Sequence, residues 1–287
     1  MIPEISASKV AALIGLNKYQ SPAQVMYDLL QKDPAAKQKM REIERAHGRR
    51  PFYVVLSEVL KEQPVQDCIS QGVEAASKTS DVKTILEEVE ERANIVLGLR
   101  YDSLHPETRQ RLAEEIRGMV SKRRGINNEN AILDQYEAQR DVKVIERNTK
   151  MCRKTYPTFK LCGRTDGYVA SENRIVDSKE RTRFWETVPL YDEIQLRCYM
   201  EMSGATESEL IERFPGGETR HTKFMNDPEK WKTIEQAIEK AVAKMNLALD
   251  NPEQLKRIVF ENTVWTQSNG SSNYATGSIT VTPIANV

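Results

Sequence analysis

Apolar residues recur at three- and four-residue spacing through much of the chain, and that period predicts helices. Ser21-Pro22 followed by Val25, Met26, Leu29 and Leu30 on one face predicts a capped helix with proline in its first turn. Before it, Ser6 or Ser8 caps a short helix through Ile14 that Gly15 ends. Residues 33–124 are strongly charged and mostly helical, with one stripe at Val82, Ile85, Leu86, Val89, Ala93 and Val96. A second stripe falls at Leu112, Ile116, Met119 and Val120, and breaks are expected near Pro64, 77–80 and 102–106. A separate helix is predicted over 126–139. The period then changes: 142–146, 167–170 and 174–177 alternate or run apolar between Gly, Asn and Ser, which predicts strands. A helix over 189–203 ends at Gly204, and 207–214 and 220–225 read as strands. Asp227-Pro228 opens a long helix with Trp231, Ile234, Ile238, Val242 and Met245 on one face. The expected class is α/β: a mixed central sheet flanked by helices, in one domain over 1–265 that includes a helical insertion at 33–120. Residues 266–287 contain no Asp, Glu, Lys or Arg and read as a flexible tail or a weak terminal strand.

The composition of the 287 residues, 39% hydrophobic and 29% charged, suits a globular chain with room for one large domain. No apolar run approaches the roughly 20 residues of a membrane helix. No basic segment followed by an apolar one opens the chain, so no secretory signal is expected. Lys plus Arg, 42, balances Asp plus Glu, 42. That excludes a globally basic nucleic-acid coat protein but not an enzyme with a local basic groove beside an acidic site. Cys68, Cys152, Cys162 and Cys198 form no C-x-x-C pair, and His47, His105 and His221 are scattered. A zinc finger or a zinc deaminase site has no ligand set here, and the cysteines read as reduced and intracellular.

Two acids and a lysine stand where turn and strand signals converge. Asp166 lies in Gly163-Arg-Thr-Asp-Gly167, and Asp177 and Lys179 lie in Ile175-Val-Asp-Ser-Lys179. Residues i and i+2 of a strand share a face, so Asp177 and Lys179 project together. A hairpin through 171–173 would bring Asp166 beside Asp177. Hard oxygen donors of this kind suit Mg²⁺, which keeps waters and substrate phosphate among its ligands. A neighbouring lysine can orient or deprotonate an attacking water and offset phosphate charge. The set fits phosphodiester hydrolysis, although D…D-x-K alone also describes an ordinary charged strand edge.

Further segments narrow the reading. Ile5-Ser-Ala-Ser8 with Tyr19-Gln-Ser-Pro22, Gly125 to Glu129, Gly163 to Gly167, Asp177-Ser-Lys179 and Gln195 to Tyr199 follow one another in the chain. In that order they resemble the PD-(D/E)XK nucleases, in the YqaJ and lambda-exonuclease branch of viral recombination nucleases. The matched segments cover about 1–31 and 120–249. Thr165 stands where that family has proline, and Asp177 where Glu is commoner. Only Ile2-Pro3-Glu4 separates Met1 from the first segment, so the arginine that anchors a 5′-phosphate in lambda-type exonucleases is expected to have no counterpart.

The resemblance implies a restriction-endonuclease-like fold and a deoxyribonuclease that uses Mg²⁺, with Mn²⁺ able to substitute. Glu129, Asp166, Asp177 and the backbone carbonyl of Ser178 would be metal ligands, and Lys179 would handle the attacking water. Ser8, Gln195 and Tyr199 would touch DNA. Each has a plain structural alternative: Glu129 a solvated acid in a first helical turn, Ser8 an N-cap, Gln195 and Tyr199 a helix face. The implied substrate is linear double-stranded DNA, processed by an exonuclease for recombination; an endonuclease of the same fold and a non-catalytic recombination accessory protein are the alternatives. An iron–sulfur variant lacks the cysteine spacing. Partners implied are a single-strand annealing protein and copies of the chain in a trimeric ring, with action inside a host cell by a virus- or phage-encoded protein. Lys122-Arg-Arg124 and 179–183 would supply phosphate contacts, with Arg49, Arg50, Arg123, Arg124, Arg181 and Arg183 as replacement anchors.

Overall fold

The computed structural model describes residues 1–264. In chain order the elements are β1 (Glu4–Ser6), α1 (Ala7–Leu13), α2 (Pro22–Leu30), α3 (Pro34–Ala46), β2 (Arg50–Pro51), α4 (Phe52–Val59), α5 (Gln63–Ser77), α6 (Val82–Arg100) and α7 (Pro106–Arg140). There follow β3 (Met151–Thr155), β4 (Lys160–Arg164), β5 (Gly167–Val169), β6 (Arg174–Glu180), α8 (Leu190–Ser203), β7 (Glu207–Arg213), β8 (Thr219–Met225), α9 (Pro228–Asp250), α10 (Pro252–Glu261) and β9 (Thr263–Val264). The fold is the expected α/β class. A four-stranded mixed sheet runs β5-β6-β7-β8, parallel between β6 and β7 and antiparallel elsewhere. A second sheet runs β1-β4-β3, with β1 parallel to β4. The uncharged tail foreseen at 266–287 lies outside the described residues.

Local chemistry sets the element ends that matter. The Ser21 side chain accepts from the Gln24 N–H at the start of α2, and Asp227 accepts from Glu229 and Lys230 at the start of α9. Gly204, at φ +74°, ends α8 in the left-handed conformation that glycine adopts without steric cost.

Three apolar cores follow from these elements. The main one joins α1, α2, α8, α9 and α10 over the sheets, with Ile5, Leu161, Ile175 and Leu210 buried in it. Ala36 and Met40 of α3 belong to this core, so the helical unit with a core of its own begins at Phe52. That unit packs Val55, Ile69, Val89, Leu97, Leu112, Ile116 and Val120 together, and Val264 of β9 returns to it. A small third core holds Ile132, Leu133 and Tyr136 of α7 against Val169, Val176 and Ile211 of the sheet.

Several expectations are corrected. No helix starts at 126: α7 is one helix of 35 residues, about 50 Å long. Gly118 and Gly125 are tolerated inside it, because a glycine costs a helix only about 1 kcal/mol and tertiary packing on two cores outweighs that. Glu129 therefore stands in mid-helix, away from any helix N-terminus. Residues 142–146 form no strand; Ile145 makes a single bridge to Tyr168, and Glu146 turns the chain at φ 55°. Strands β3 and β4, and helix α10, were not foreseen.

Candidate active site

The site is built on the β5–β6 hairpin. Residues 170–172 make a 3₁₀ turn, and Asn173 closes it in the left-handed conformation at φ 48°. The register sets Gly167 opposite Val176, which places Asp166 and Asp177 as the next pair beyond the ladder. Gly167 is required there: a Cβ would lie 2.2 Å from Val144 Cγ1 and 3.1 Å from Val176 Cγ2. Asp177 and Lys179 share a face of β6, and Lys179 Nζ lies 2.6 Å from Asp177 Oδ2. Asp166 Oδ2 accepts from the Ser178 N–H at 2.8 Å and stands 3.1 Å from the Ser178 hydroxyl oxygen, which donates to it. A strand residue points its N–H and C=O to the same edge, so the Ser178 carbonyl also faces the Asp166 side.

Helix α8 closes one wall. Gln195 and Tyr199 are one turn apart, and the Gln195 amide donates to Asp177 Oδ1 at 3.4 Å and to the Tyr199 hydroxyl at 2.9 Å. Tyr199 packs so tightly on β4 that a Cβ at Gly163 would lie 2.6 Å from its ring. Tyr199 is buried, and burial with the Asp177 charge raises its hydroxyl pKa.

The acids crowd one another electrostatically. Burial, then the charge of Asp177, pushes the Asp166 carboxyl up to about 7 against the opposing Lys179 charge and the Ser178 N–H. Glu129 is raised chiefly by burial, with Asp177 adding and Asn148 and Lys179 opposing. Its carboxylate accepts from the Asn148 amide at 3.0 Å. Burial works against the Lys179 ammonium, but Asp177 and Asp166 outweigh it and hold the lysine above its usual range.

Asp166, Asp177, Ser178, Lys179, Gln195 and Tyr199 are thus brought together, and Glu129 reaches them through its field from α7. Ser8 is different: it lies exposed on α1, and its hydroxyl oxygen is 3.1 Å from that of Ser6. As for a cation, the donors are the hard oxygens it prefers, and the mutual repulsion of Asp166 and Asp177 is what a dication would relieve. Among the described residues, however, no three His, Cys, Asp or Glu side chains are gathered around one point.

Sequence reasoning missed the layer behind the acids. Arg181, next on the Asp177–Lys179 face, donates to Asp192 Oδ2 at 2.7 Å and to Glu212 Oε1 at 2.8 Å, all three buried. Arg124 donates to the Ala76 carbonyl at 3.1 Å and to Glu180 Oε1 at 2.6 Å, and Arg213 holds the other Glu180 oxygen at 2.7 Å. Arg124 and Arg181 are therefore consumed by internal pairs and are not the free phosphate anchors foreseen; Lys122, Arg123 and Arg183 remain exposed. The two-residue period through 177, 179 and 181 was the available signal for Arg181.

No family model matches the chain, and neither does any curated protein. Solved structures do. The alkaline exonuclease LHK-Exo from Laribacter hongkongensis aligns at TM-score 0.39 and 16% identity, over 49% of this chain and 75% of that one. A phage related exonuclease from Haemophilus somnus 129PT aligns at 0.35 and 14%, over 49% and 73%. The protein SSO0001 aligns at 0.35 and 12%, over 58% and 78%. Two of the three are exonucleases by name, the kind of protein the motifs resemble. At these scores the likeness concerns part of the fold and says nothing on activity. No helix among the described residues is long and apolar enough to cross a membrane.

Proposed function

We propose that this chain is a Mg²⁺-dependent deoxyribonuclease, an exonuclease that hydrolyses the phosphodiesters of linear double-stranded DNA and prepares ends for recombination. One observation carries the reading: the β5–β6 hairpin pairs Asp166 with Asp177 and sets Lys179 on the same face. A protein that merely binds DNA gains nothing from crowded acids facing phosphate, whereas hydrolysis needs them.

Asp166, Asp177 and the Ser178 carbonyl would hold Mg²⁺, with Mn²⁺ as a substitute, and Glu129, which is not gathered around one point with the other two acids, would act on the ion through a bound water. When bound, the ion polarises the phosphate and offsets charge on the leaving oxygen. The rest belongs to the chain's own groups. Lys179, kept protonated by its acid neighbours, donates to the attacking water or a phosphate oxygen and fixes it in line. Gln195 holds the Asp177 carboxylate in place through its amide, and Tyr199 holds Gln195. Lys122 and Arg123 supply exposed positive charge for the sugar-phosphate backbone, and no base-reading motif is needed.

The test compares 5′-phosphorylated, 5′-hydroxyl and circular duplexes with Mg²⁺ and with EDTA. Digestion of linear DNA alone, abolished by EDTA, is the expected result. Cleavage of circles would replace the exonuclease with an endonuclease, and binding without any cleavage would make the protein a recombination accessory.

A further inference from the structure

A surface beside the acids combines exposed aromatic rings with cations, and the chemistry proposed above does not use it. Tyr19 and Phe184 are 60% and 59% exposed, unusually open for large rings. Lys18 and Trp185 are their neighbours on the same two loops. The Lys18 ammonium sits 5.1 Å from the Tyr19 ring centroid and 5.5 Å from that of Trp185. The Arg183 guanidinium carbon lies 4.7 Å from the Trp185 ring centroid. Cations and rings therefore alternate along the patch.

The patch is held in place and borders the site. Its second loop leaves β6 directly after Lys179 and Glu180, and the Arg181 N–H anchors it to the Arg213 carbonyl at 2.8 Å. Arg220 donates to the Trp185 and Glu186 carbonyls at 2.6 and 3.0 Å, which pins the backbone under the indole. On the other flank Tyr19 meets Tyr191 edge to face, centroids 6.0 Å apart. Tyr191 is the second residue of α8, and burial together with the Asp192 charge pushes its hydroxyl up to about 12, with Lys179 close enough to counter. One end of the patch thus lies within the electrostatic reach of Lys179.

We propose that Tyr19, Lys18, Trp185 and Arg183, with Phe184 beside them, form a stacking platform for the unpaired bases of a single-stranded DNA end at the mouth of the acid site. Aromatic rings bind nucleobases by their faces, and cations at ring spacing pair the intervening phosphates. In a duplex both faces of a base are covered by its neighbours, so the platform can engage only frayed or overhanging nucleotides. Its placement at the mouth rests on the nuclease reading, but base stacking there does not require cleavage.

The test is fluorescence anisotropy of the full chain in EDTA, where nothing is cut, with a labelled oligothymidine of about 12 nucleotides as probe. A backbone of equal length whose sugars carry no bases serves as the comparison. Tyr19→Ala and Trp185→Ala should each weaken oligothymidine binding about tenfold, since one stacked base contributes on that scale. Neither should change binding of the abasic strand, and Trp185→Phe, which keeps a ring, should retain most of the affinity. Equal binding by wild type and both alanine variants overturns the platform. So does an equal loss on the abasic strand, which would mean that only charge was disturbed. Should Trp185→Ala fail to fold, Tyr19→Ala and Trp185→Phe decide the matter, because Tyr19 is exposed. If duplex digestion with Mg²⁺ is seen but the stacking effects are not, the platform falls and the nuclease stands; the reverse pattern separates them the other way.

Discussion

The helical unit from Phe52 to Val120 and the end of the sheet that carries the acids use charge in opposite ways. In the helical unit ion pairs lie at the surface: Lys78–Glu74 is 71% and 68% exposed, Lys83–Glu87 is similarly open, and Arg100–Glu62 is about half-exposed. At the sheet end the charges are inside. Arg124–Glu180, Arg181–Asp192 and Arg181–Glu212 are all less than a tenth exposed. Exposed pairs contribute little, while burying charge costs several kcal/mol per ion unless every group is partnered. A fold that accepts such a cost at one place, and avoids it in the neighbouring helical core, has concentrated its polar chemistry there. Another buried network, at the base of β6, is fully partnered: Arg174 binds Glu207, Glu209 and the Tyr136 hydroxyl. Burial would raise Glu209, but His221, Tyr136, Arg174 and Arg140 outweigh it and hold the carboxyl down to about 2. Around Asp166, by contrast, neighbouring acids crowd one another and stay raised.

Breaking the acid side of this contrast should have the largest effect. Asp166→Asn or Lys179→Ala is expected to lower digestion of linear duplex by at least about a hundredfold, with the far-ultraviolet circular dichroism unchanged; wild-type rates in either variant would refute the assignment. Next in size is Arg181→Ala. It strands the buried Asp192, leaves Glu212 to Arg220 alone and should cost about 3–5 kcal/mol in denaturant unfolding, whereas Lys78→Ala in the helical unit should cost less than about 0.5 kcal/mol. Equal losses would erase the distinction between the two regions.

The raised Asp166 gives a pH test with a definite sign. A carboxyl whose folded pKa lies above its unfolded value favours folding while protonated, and that contribution is lost as pH rises through about 7. Added Mg²⁺ or Mn²⁺ should therefore raise the thermal midpoint more at pH 8 than at pH 6, where protons compete for the same oxygen. Asp166→Asn should flatten the pH profile of the ion-free protein; a metal response independent of pH would count against Asp166 as a ligand. A smaller effect than at Arg181 is expected at Thr165, whose buried hydroxyl has no hydrogen-bond partner among the described residues. Thr165→Val keeps its shape, removes the orphan and should stabilise by about 1 kcal/mol.

The hairpin was legible because β5 and β6 carry short apolar runs around an Asn-containing turn, and the two-residue strand period then fixes what Asp177 and Lys179 share. The capped helices α2, α8 and α9 were legible from Ser21, Gly204 and Asp227 for the same reason: short-range chemistry decides them. Strands β3 and β4 were not, since Met151–Thr155 buries only Cys152 and the rest of that strand faces outward. Nor was the continuity of α7, since packing against two distant cores is what joins 106–125 and 126–140 into one helix. Arg124 illustrates the limit at the site. Inside Lys122-Arg-Arg124 it looks like one more solvated charge, and only the approach of Ala76 and Glu180 from distant parts of the chain shows it to be buried.

The length of α7 has a practical corollary for anyone who would trim this protein. Its first half is a wall of the helical unit, through Leu112, Ile116 and Val120, and its second half supports the sheet through Ile132, Leu133 and Tyr136, with Glu129 in between. The helical unit is therefore not a detachable module: excision at its borders would saw a single rod in two and leave that glutamate on a stump.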